Sequence, residues 1–103
     1  MPKTATAVRG MVVSPHRLAS EAGLAVLRTG GNAVEASIAT SAALCVVYPH
    51  MNGLGGDGFW TIHDPATKTI HCIDASGLAG KKVSLSLLEQ KGVAQIPTHG
   101  TAA

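Results

Sequence analysis

The densest group of residues that could bind a ligand is a glycine cluster at Asn52–Gly58, with the sequence N-G-L-G-G-D-G. Glycine-rich loops bind phosphate when their backbone N–H groups meet an anion at the start of a helix. Here the predicted order is reversed, because a helix precedes the loop and a strand follows it, and no Gly-Lys-Ser/Thr sequence is present. The cluster therefore predicts a tight helix-to-strand connection whose glycines provide positive φ angles or close packing. A small-ligand binding loop is the alternative.

The histidines do not have the spacing of a metal site. No His-x-x-x-His or Cys-x-x-Cys pair occurs, although zinc sites usually contain such pairs. His63 and His71 fall on the facing strands of a predicted hairpin and are candidate neighbours, but no third ligand lies near them in sequence. We therefore expect neither a metal nor a cofactor. The five histidines are His16, His50, His63, His71 and His99.

Thr98 and His99 are adjacent, which brings a hydroxyl and a base together. N-terminal-nucleophile enzymes use a threonine that self-cleavage has released, and its own α-amine acts as the base. Such a threonine begins a strand, whereas Pro97–Gly100 is a Gly/Pro-flanked loop with turn chemistry. We therefore predict no catalytic residue within this chain.

The composition excludes several classes of function. Charged residues make up 14% of the 103 residues, against about 25% in an average soluble domain, which indicates a fragment of a larger protein. The net charge is +2 with scattered cations, so no nucleic-acid surface is predicted. The apolar run Ala36–Tyr48 is too short to span a membrane, and Met1–Arg9 lacks the apolar core of a signal peptide. We expect a soluble, cytoplasmic protein with no membrane or nucleic-acid partner.

Hydrophobic periodicity and cap signals predict a mixed α/β (α+β) chain. Ser14-Pro15 marks the start of the first helix, and Gly30-Gly31 its end. Asn32 with Glu35 forms the capping-box pattern of the second helix, which is apolar on all sides and so predicted to be buried. We expect the first strand to join the sheet of the hairpin, with the second helix packed on that sheet. The predicted elements are a strand at Val8–Val13, helices at 14–29, 32–48 and Val83–Lys91, and hairpin strands at Gly58–His63 and Thr69–Asp74.

Three ordered segments resemble the γ-glutamyltransferase family. Gly10–Leu24 is similar to the family start G-M-V-x-[ST]-x-[HP]-x-L-A-[ST]-x-A-G. Leu27–Ala36 contains G-G-N-A-V-E-A, which resembles the family helix entry G-G-N-A-[VI]-[DE]-A. Tyr48–Phe59 is similar to the loop E-P-x-x-x-G-[IL]-G-G-x-x-F. The resemblance runs from about Arg9 to the end of the chain.

The resemblance implies an N-terminal-nucleophile (Ntn) hydrolase with an αββα sandwich. In this family a precursor cleaves itself into a large and a small subunit, and the new N-terminal threonine of the small subunit attacks a γ-glutamyl amide. The glutamyl group then passes to water or to an amino acceptor. Residues 1–103 would be an incomplete N-terminal fragment of the large subunit, and its partners would be the remainder of that subunit, the small subunit and a small acyl substrate. The nucleophile would lie outside this chain.

Ser76 is the one residue of the chain to which the resemblance assigns a place in the substrate site. The typical member has D-x-R-E-x-A-P after the second hairpin strand, and its arginine holds the substrate α-carboxylate as a bidentate fork. This chain has D-A-S-G-L-A-G at 74–80, with Ser76 at the arginine position. Gly56-Asp57 and Ser76-Gly77 are similar to a subgroup of acylases with G-G-D and S-G-R-A-P, although Leu78 replaces its arginine too. This departure favours a neutral or differently charged acyl group over glutathione.

Three functions follow as hypotheses. The first is part of an amide hydrolase or acyltransferase related to glutathione hydrolases, active as the full-length protein and inactive as residues 1–103. The second is a truncated, non-catalytic domain that only associates. The third is a small-ligand binding module that uses the glycine loop. A Thr-Thr-His-like cleavage motif encoded downstream would favour the enzyme.

Overall fold

The computed structural model describes residues 4–78, 80–93 and 95. Its elements follow the order α1 (Arg17–Arg28), α2 (Ala33–Val47), β1 (Gly58–Asp64), β2 (Thr69–Ala75) and α3 (Leu85–Gln90). The mixed helix and strand content agrees with the fold class predicted from the sequence. Thr98 and His99 lie outside the described residues. No helix among the described residues has the length and apolar character needed to cross a membrane.

Helix α1 begins two residues later than Ser14-Pro15 predicts. His16 is the N-cap, and its Nδ1 accepts a hydrogen bond from the Leu18 N–H at 3.3 Å. Ser14 supports this start from outside the helix, because its hydroxyl donates to the His16 carbonyl at 2.8 Å. The helix ends where predicted, since Gly30 adopts φ 94° and the Gly31 N–H bonds the Val26 carbonyl at 2.9 Å. A left-handed glycine is a common way to satisfy the last carbonyls of a helix.

The capping box predicted for α2 is confirmed. The Asn32 side-chain oxygen accepts from the N–H groups of Val34 and Glu35 at 2.9 and 3.0 Å. The Glu35 carboxylate accepts from the Asn32 N–H at 2.8 Å, which completes the reciprocal pair. The helix ends at Val47 with Tyr48 as the C-cap, directly before Pro49, as the proline predicts.

The core of this chain is the contact between α1 and α2. Ala19 is 0% exposed and Ala36 is 3% exposed, and Gly23 and Thr40 are also buried. A Cβ placed on Gly23 would lie 2.2 Å from Thr40 Oγ1 and 2.9 Å from the Ala36 carbonyl oxygen. The small residues therefore allow the two helix backbones to approach closely, as the alanine content of α2 predicts.

Two packing predictions are wrong for this chain. Val8–Val13 is not a strand; the sheet among the described residues has only β1 and β2. Val12 lies beside α1 instead, since its Cγ1 is 3.1 Å from the Cβ position of Gly23. Helix α2 packs on α1 and not on the sheet, so Ile38 and Val46 remain 55% and 77% exposed. β-branched residues favour extended backbone, but a strand also needs a partner for its backbone groups.

The hairpin forms as predicted, with β1 and β2 antiparallel and Gly58 paired with Ala75. The predicted turn at 64–68 is also present, and Asp64 holds it by accepting from the Ala66 N–H and the Thr67 hydroxyl, both at 2.9 Å. Lys68 follows at φ 57°. These hydrogen bonds, that of the Ala66 N–H first, lower the pKa of the Asp64 carboxyl.

Helix α3 is shorter than the predicted Val83–Lys91 helix. Its N-cap is Ser84, whose hydroxyl accepts from the Leu87 N–H at 3.2 Å. Gly92 follows the helix at φ 67°, so it ends the helix as predicted.

Much of the apolar surface of the chain remains uncovered. The accessible surface is 8874 Å², whereas a compact monomer of 10.4 kDa exposes about 5400 Å². Among the described residues, the extensive contacts join α1 to α2 and β1 to β2, so the helix pair and the hairpin share little interface.

Candidate functional site

The structure brings the glycine loop and the segment after β2 together at one end of the hairpin. Asp57 directly precedes β1, and Ser76-Gly77 directly follows β2. Because Gly58 pairs with Ala75, the chain entering β1 and the chain leaving β2 meet beside the last ladder pair. We call Asp57, Asp74, Ser76 and Gly77 the acyl corner, because it contains Ser76, the residue for which the family resemblance predicts a place in the substrate site.

Hydrogen bonds fix the acyl corner from both sides. The Gly77 N–H donates to Asp57 Oδ1 at 2.9 Å, across 20 residues of sequence. The Ser76 N–H and hydroxyl both donate to Asp74 Oδ1, at 3.0 and 2.7 Å. The hydroxyl bond, followed by the N–H bond, lowers the pKa of the Asp74 carboxyl. Asp74 therefore stays ionised at neutral pH and holds Ser76 in one orientation.

These contacts determine what Ser76 can offer a ligand. A serine hydroxyl has one hydrogen to donate and two lone pairs, and in this structure Asp74 receives the hydrogen. The remaining lone pairs can accept a hydrogen bond but cannot donate one to a carboxylate. Two side-chain carboxylates, Asp57 and Asp74, also flank this residue, so the corner repels an anion. The geometry suits a neutral or cationic group better than an α-carboxylate.

The sequence predicts that the glycines of the loop provide positive φ angles or close packing, and this reason is wrong. Gly53, Gly55 and Gly56 do not adopt positive φ, and a Cβ on any of them would meet no atom within 4 Å. Gly58 has only ordinary contacts, with Trp60 Nε1 at 3.5 Å as the nearest. The loop does connect α2 to β1 as expected, but its glycines face open space and no neighbour within the described residues requires them.

The two histidines predicted to be neighbours, His63 and His71, do not come together. His63 pairs with Ile70 and His71 pairs with Ile62, so the two imidazoles lie on opposite faces of the hairpin. Among the described residues, no group of three or more His, Cys, Asp or Glu side chains is arranged to hold a metal ion. His16 caps α1 instead, and the His50 ring lies 4.2 Å from that of Tyr48.

One hydroxyl–imidazole contact was not predicted from the sequence. At the turn end of the hairpin, Thr69 Oγ1 lies 3.1 Å from His71 Nε2, and Thr67 Oγ1 lies 2.6 Å from Thr69 Oγ1. Asp64 completes this row by accepting from Thr67. Thr67, Thr69 and His71 are all exposed at the end of the hairpin, so water competes for every contact, and we assign the row to turn stabilisation. Period-2 spacing of 67, 69 and 71 was the signal that could have predicted it.

Two grooves lie along the N-terminal segment, away from the acyl corner. One, of about 770 Å³, is lined by residues 7–10 and by Leu24, Leu27 and Arg28 of α1. The other, of about 350 Å³, lies between residues 11–15 and α2. Neither groove is lined by Ser76 or the glycine loop. Ser76 is exposed on the surface of this chain.

Comparison with known proteins identifies the relatives of this chain. The gamma-glutamyltranspeptidase family profile matches residues 19–103. The chain is 53% identical over 104 residues to the oxamate amidohydrolase proenzyme of Klebsiella pneumoniae, a match that covers 100% of this chain and 19% of that protein. It is 48% identical over 100 residues to the glutathione hydrolase-like YwrD proenzyme of Bacillus subtilis, covering 97% of this chain and 19% of that protein.

A solved structure agrees with these sequence matches. The gamma-glutamyltranspeptidase of Helicobacter pylori aligns with a TM-score of 0.72 and 38% identity, over 80% of this chain and 23% of that one. The chain therefore spans about a fifth of the length of the relatives it matches. On the strength of the profile match and these alignments, the chain belongs to the gamma-glutamyltranspeptidase family.

Proposed function

We propose that the full-length protein is an Ntn amide hydrolase or acyltransferase that acts on γ-glutamyl or related acyl amides. The observation that carries this proposal is the family match over residues 19–103. In the proposed reaction, the hydroxyl of a threonine outside this chain attacks the amide carbon and its own α-amine takes the hydroxyl proton. The α-amine passes this proton to the amide nitrogen as the C–N bond breaks, and the amine product leaves. Water or an acceptor amine then attacks the acyl-enzyme ester and frees the threonine.

The hairpin supports placement of this chain in an αββα sandwich. Phe59 and Ile70 are 71% and 66% exposed on one face of the hairpin, and Ile73 is 50% exposed on the other. Strands that carry large apolar residues on both faces are typical of sheets covered on both sides. We propose that the remainder of the large subunit and the small subunit cover these faces and the outer side of α2.

Within that assembly, the acyl corner is proposed to contact the acyl group of the substrate. Arginine would recognise an α-carboxylate with a charge-assisted fork, whereas Ser76 offers only lone pairs beside two carboxylates. An acyl group whose near end is neutral or carries an ammonium group fits this surface. A substrate carboxylate, if one is present, must bind to residues outside the acyl corner.

The names of relatives suggest which donors to test. Two relatives from Pseudomonas strains are named acylases, with 52% and 50% identity over 56 residues, and another relative is named for oxamate. The donor panel for the full-length protein therefore contains oxamate, a γ-glutamyl anilide and its des-carboxy analogue, the 4-aminobutyryl anilide. The 4-aminobutyryl anilide lacks only the α-carboxylate, so it tests whether that carboxylate contributes to binding.

The experiment measures self-cleavage and turnover of the purified full-length protein. We expect two fragments on a denaturing gel, an N-terminal threonine on the smaller one, and hydrolysis of at least one donor. Replacement of that threonine by alanine should abolish both cleavage and turnover. A full-length protein that neither cleaves itself nor consumes any donor would favour the non-catalytic hypothesis. A cytoplasmic location stays a prediction of the sequence, and cell fractionation tests it.

A further inference from the structure

The contact between Asp57 and Gly77 has no role in the proposed reaction, yet it connects the two segments that form the acyl corner. Asp57 belongs to the glycine loop that follows α2, and Gly77 belongs to the segment that leaves β2. Their hydrogen bond of 2.9 Å lies just outside the last ladder pair, Gly58 with Ala75. It therefore extends the pairing of the hairpin beyond the end of its strands.

Ser76 lies between two points of attachment as a result. On its N-terminal side, Asp74 accepts from both the N–H and the hydroxyl of Ser76. On its C-terminal side, the next N–H in the chain is held by Asp57. Without the Asp57 contact, residues 76–78 would be attached only through Asp74, because they no longer pair with β1. The place of the Ser76 backbone relative to the glycine loop thus depends on the Asp57 carboxylate.

We propose that Asp57 is a positioning residue for binding of the acyl group, because it holds Ser76-Gly77 against the glycine loop. This inference rests on the proposed function, because it assumes that Ser76 contacts the acyl group. It goes further by assigning a role to a side chain that itself need not touch the substrate. Asp57 is exposed, so its loss should release the corner locally and leave the packing of α1 on α2 intact.

The test compares three variants of the full-length protein. Asp57→Ala removes the acceptor, whereas Asp57→Asn keeps a carbonyl oxygen that can accept from the Gly77 N–H. Asp64→Ala is the matched control, because Asp64 also accepts from a backbone N–H, that of Ala66, but at the opposite end of the same hairpin. Two quantities are measured: KM and kcat on the best donor of the panel, and hydrogen–deuterium exchange of the segment 74–78.

We expect Asp57→Ala to raise KM about 3- to 10-fold, in line with the modest net contribution of one exposed hydrogen bond, with a smaller change in kcat. Exchange at 74–78 should accelerate by a similar factor. Asp64→Ala should keep the wild-type KM and the wild-type exchange of this segment, and Asp57→Asn should keep the wild-type exchange. A merely structural role of Asp57 would lower the yield or melting temperature without this separation of KM from kcat.

Three results would overturn the proposal. The first is an Asp57→Ala enzyme with wild-type KM and exchange, and the second is an equal acceleration of exchange in Asp57→Asn, which would point to charge and not to the hydrogen bond. If Asp57→Ala does not fold, Asp57→Ser takes its place, because the serine hydroxyl lies one bond closer to the backbone than the carboxylate oxygen. Wild-type KM and exchange in Asp57→Ser is then the third contradicting result. A wild-type enzyme inactive on every donor rejects the proposed function instead, and exchange at 74–78 then still tests the Asp57 contact.

Discussion

Replacement of Gly23 by alanine tests the contact between α1 and α2, which forms the core of this chain. A methyl group at this position would lie 2.2 Å from Thr40 Oγ1, 2.9 Å from the Ala36 carbonyl oxygen and 3.1 Å from Val12 Cγ1. The threonine hydroxyl can rotate away, but it then gives up its 2.8 Å hydrogen bond to the Ala36 carbonyl. The carbonyl belongs to the backbone of α2 and can move only if the helices separate.

The change in the free energy of unfolding follows from two destabilising terms and one stabilising term. Overpacking of a well-packed contact costs about 1–3 kcal/mol, and loss of the Thr40 hydrogen bond costs about 1 kcal/mol more. Alanine stabilises the helix by about 1 kcal/mol relative to glycine, because its helix propensity is higher. We therefore expect Gly23→Ala to destabilise the helix pair by a net 1–3 kcal/mol, to order of magnitude.

The assay is native-state hydrogen exchange of the α1 and α2 amides in the full-length protein. At about 1.4 kcal/mol per tenfold, the expected loss accelerates exchange about 5- to 150-fold. Thr40→Ala provides the matched background, because it removes the hydroxyl but leaves the Ala36 carbonyl in place. In the Thr40→Ala background, Gly23→Ala should reduce the stability of the helix pair by less than it does in the wild type. Unchanged or slower exchange in Gly23→Ala would refute the close approach of the two helices at this point.

Three further outcomes follow from the structure. Ser76→Arg should raise the ratio of kcat/KM for a γ-glutamyl anilide over its des-carboxy analogue, the 4-aminobutyryl anilide, about tenfold. This is the low end for a hydrogen bond to a charged group, because Asp74 competes for the guanidinium. An unchanged or lower ratio contradicts the assignment of Ser76. Residues 1–103 expressed alone should not hydrolyse the anilide and should associate through their exposed apolar faces, which turnover by a monomeric preparation would disprove. The pKa of Asp74 should lie below the ordinary value of 3.8 in a carbon-detected titration, and it should rise in Ser76→Ala. Because the pKa is lowered in the folded state, the carboxylate stabilises the fold above about pH 4, and this stabilisation is lost as the pH falls through the lowered pKa. A measured pKa at or above 3.8 contradicts the Ser76 contact.

Local signals determined most of the secondary structure. The Asn32–Glu35 capping box, the glycines after α1 and α3 and the turn after Asp64 depend on contacts within a few residues, so the sequence alone predicts them. The family motifs are of the same kind, since their residues stand in a fixed order along the chain. The start of α1 was the local exception, because His16 and not Ser14 provides the cap.

Contacts between distant residues were decided only by the tertiary structure. A strand at Val8–Val13 needs a second strand to pair with, and an apolar helix needs another element packed on it. No local sequence pattern predicts which segment pairs with the strand or packs on the helix. In this chain α2 covers α1, and the segment before α1 lies along the helices without pairing. The contact between Asp57 and Gly77 spans 20 residues and depends on the β1–β2 register. The sequence could place Ser76 at the family position, but only the folded hairpin shows which carboxylates hold it there.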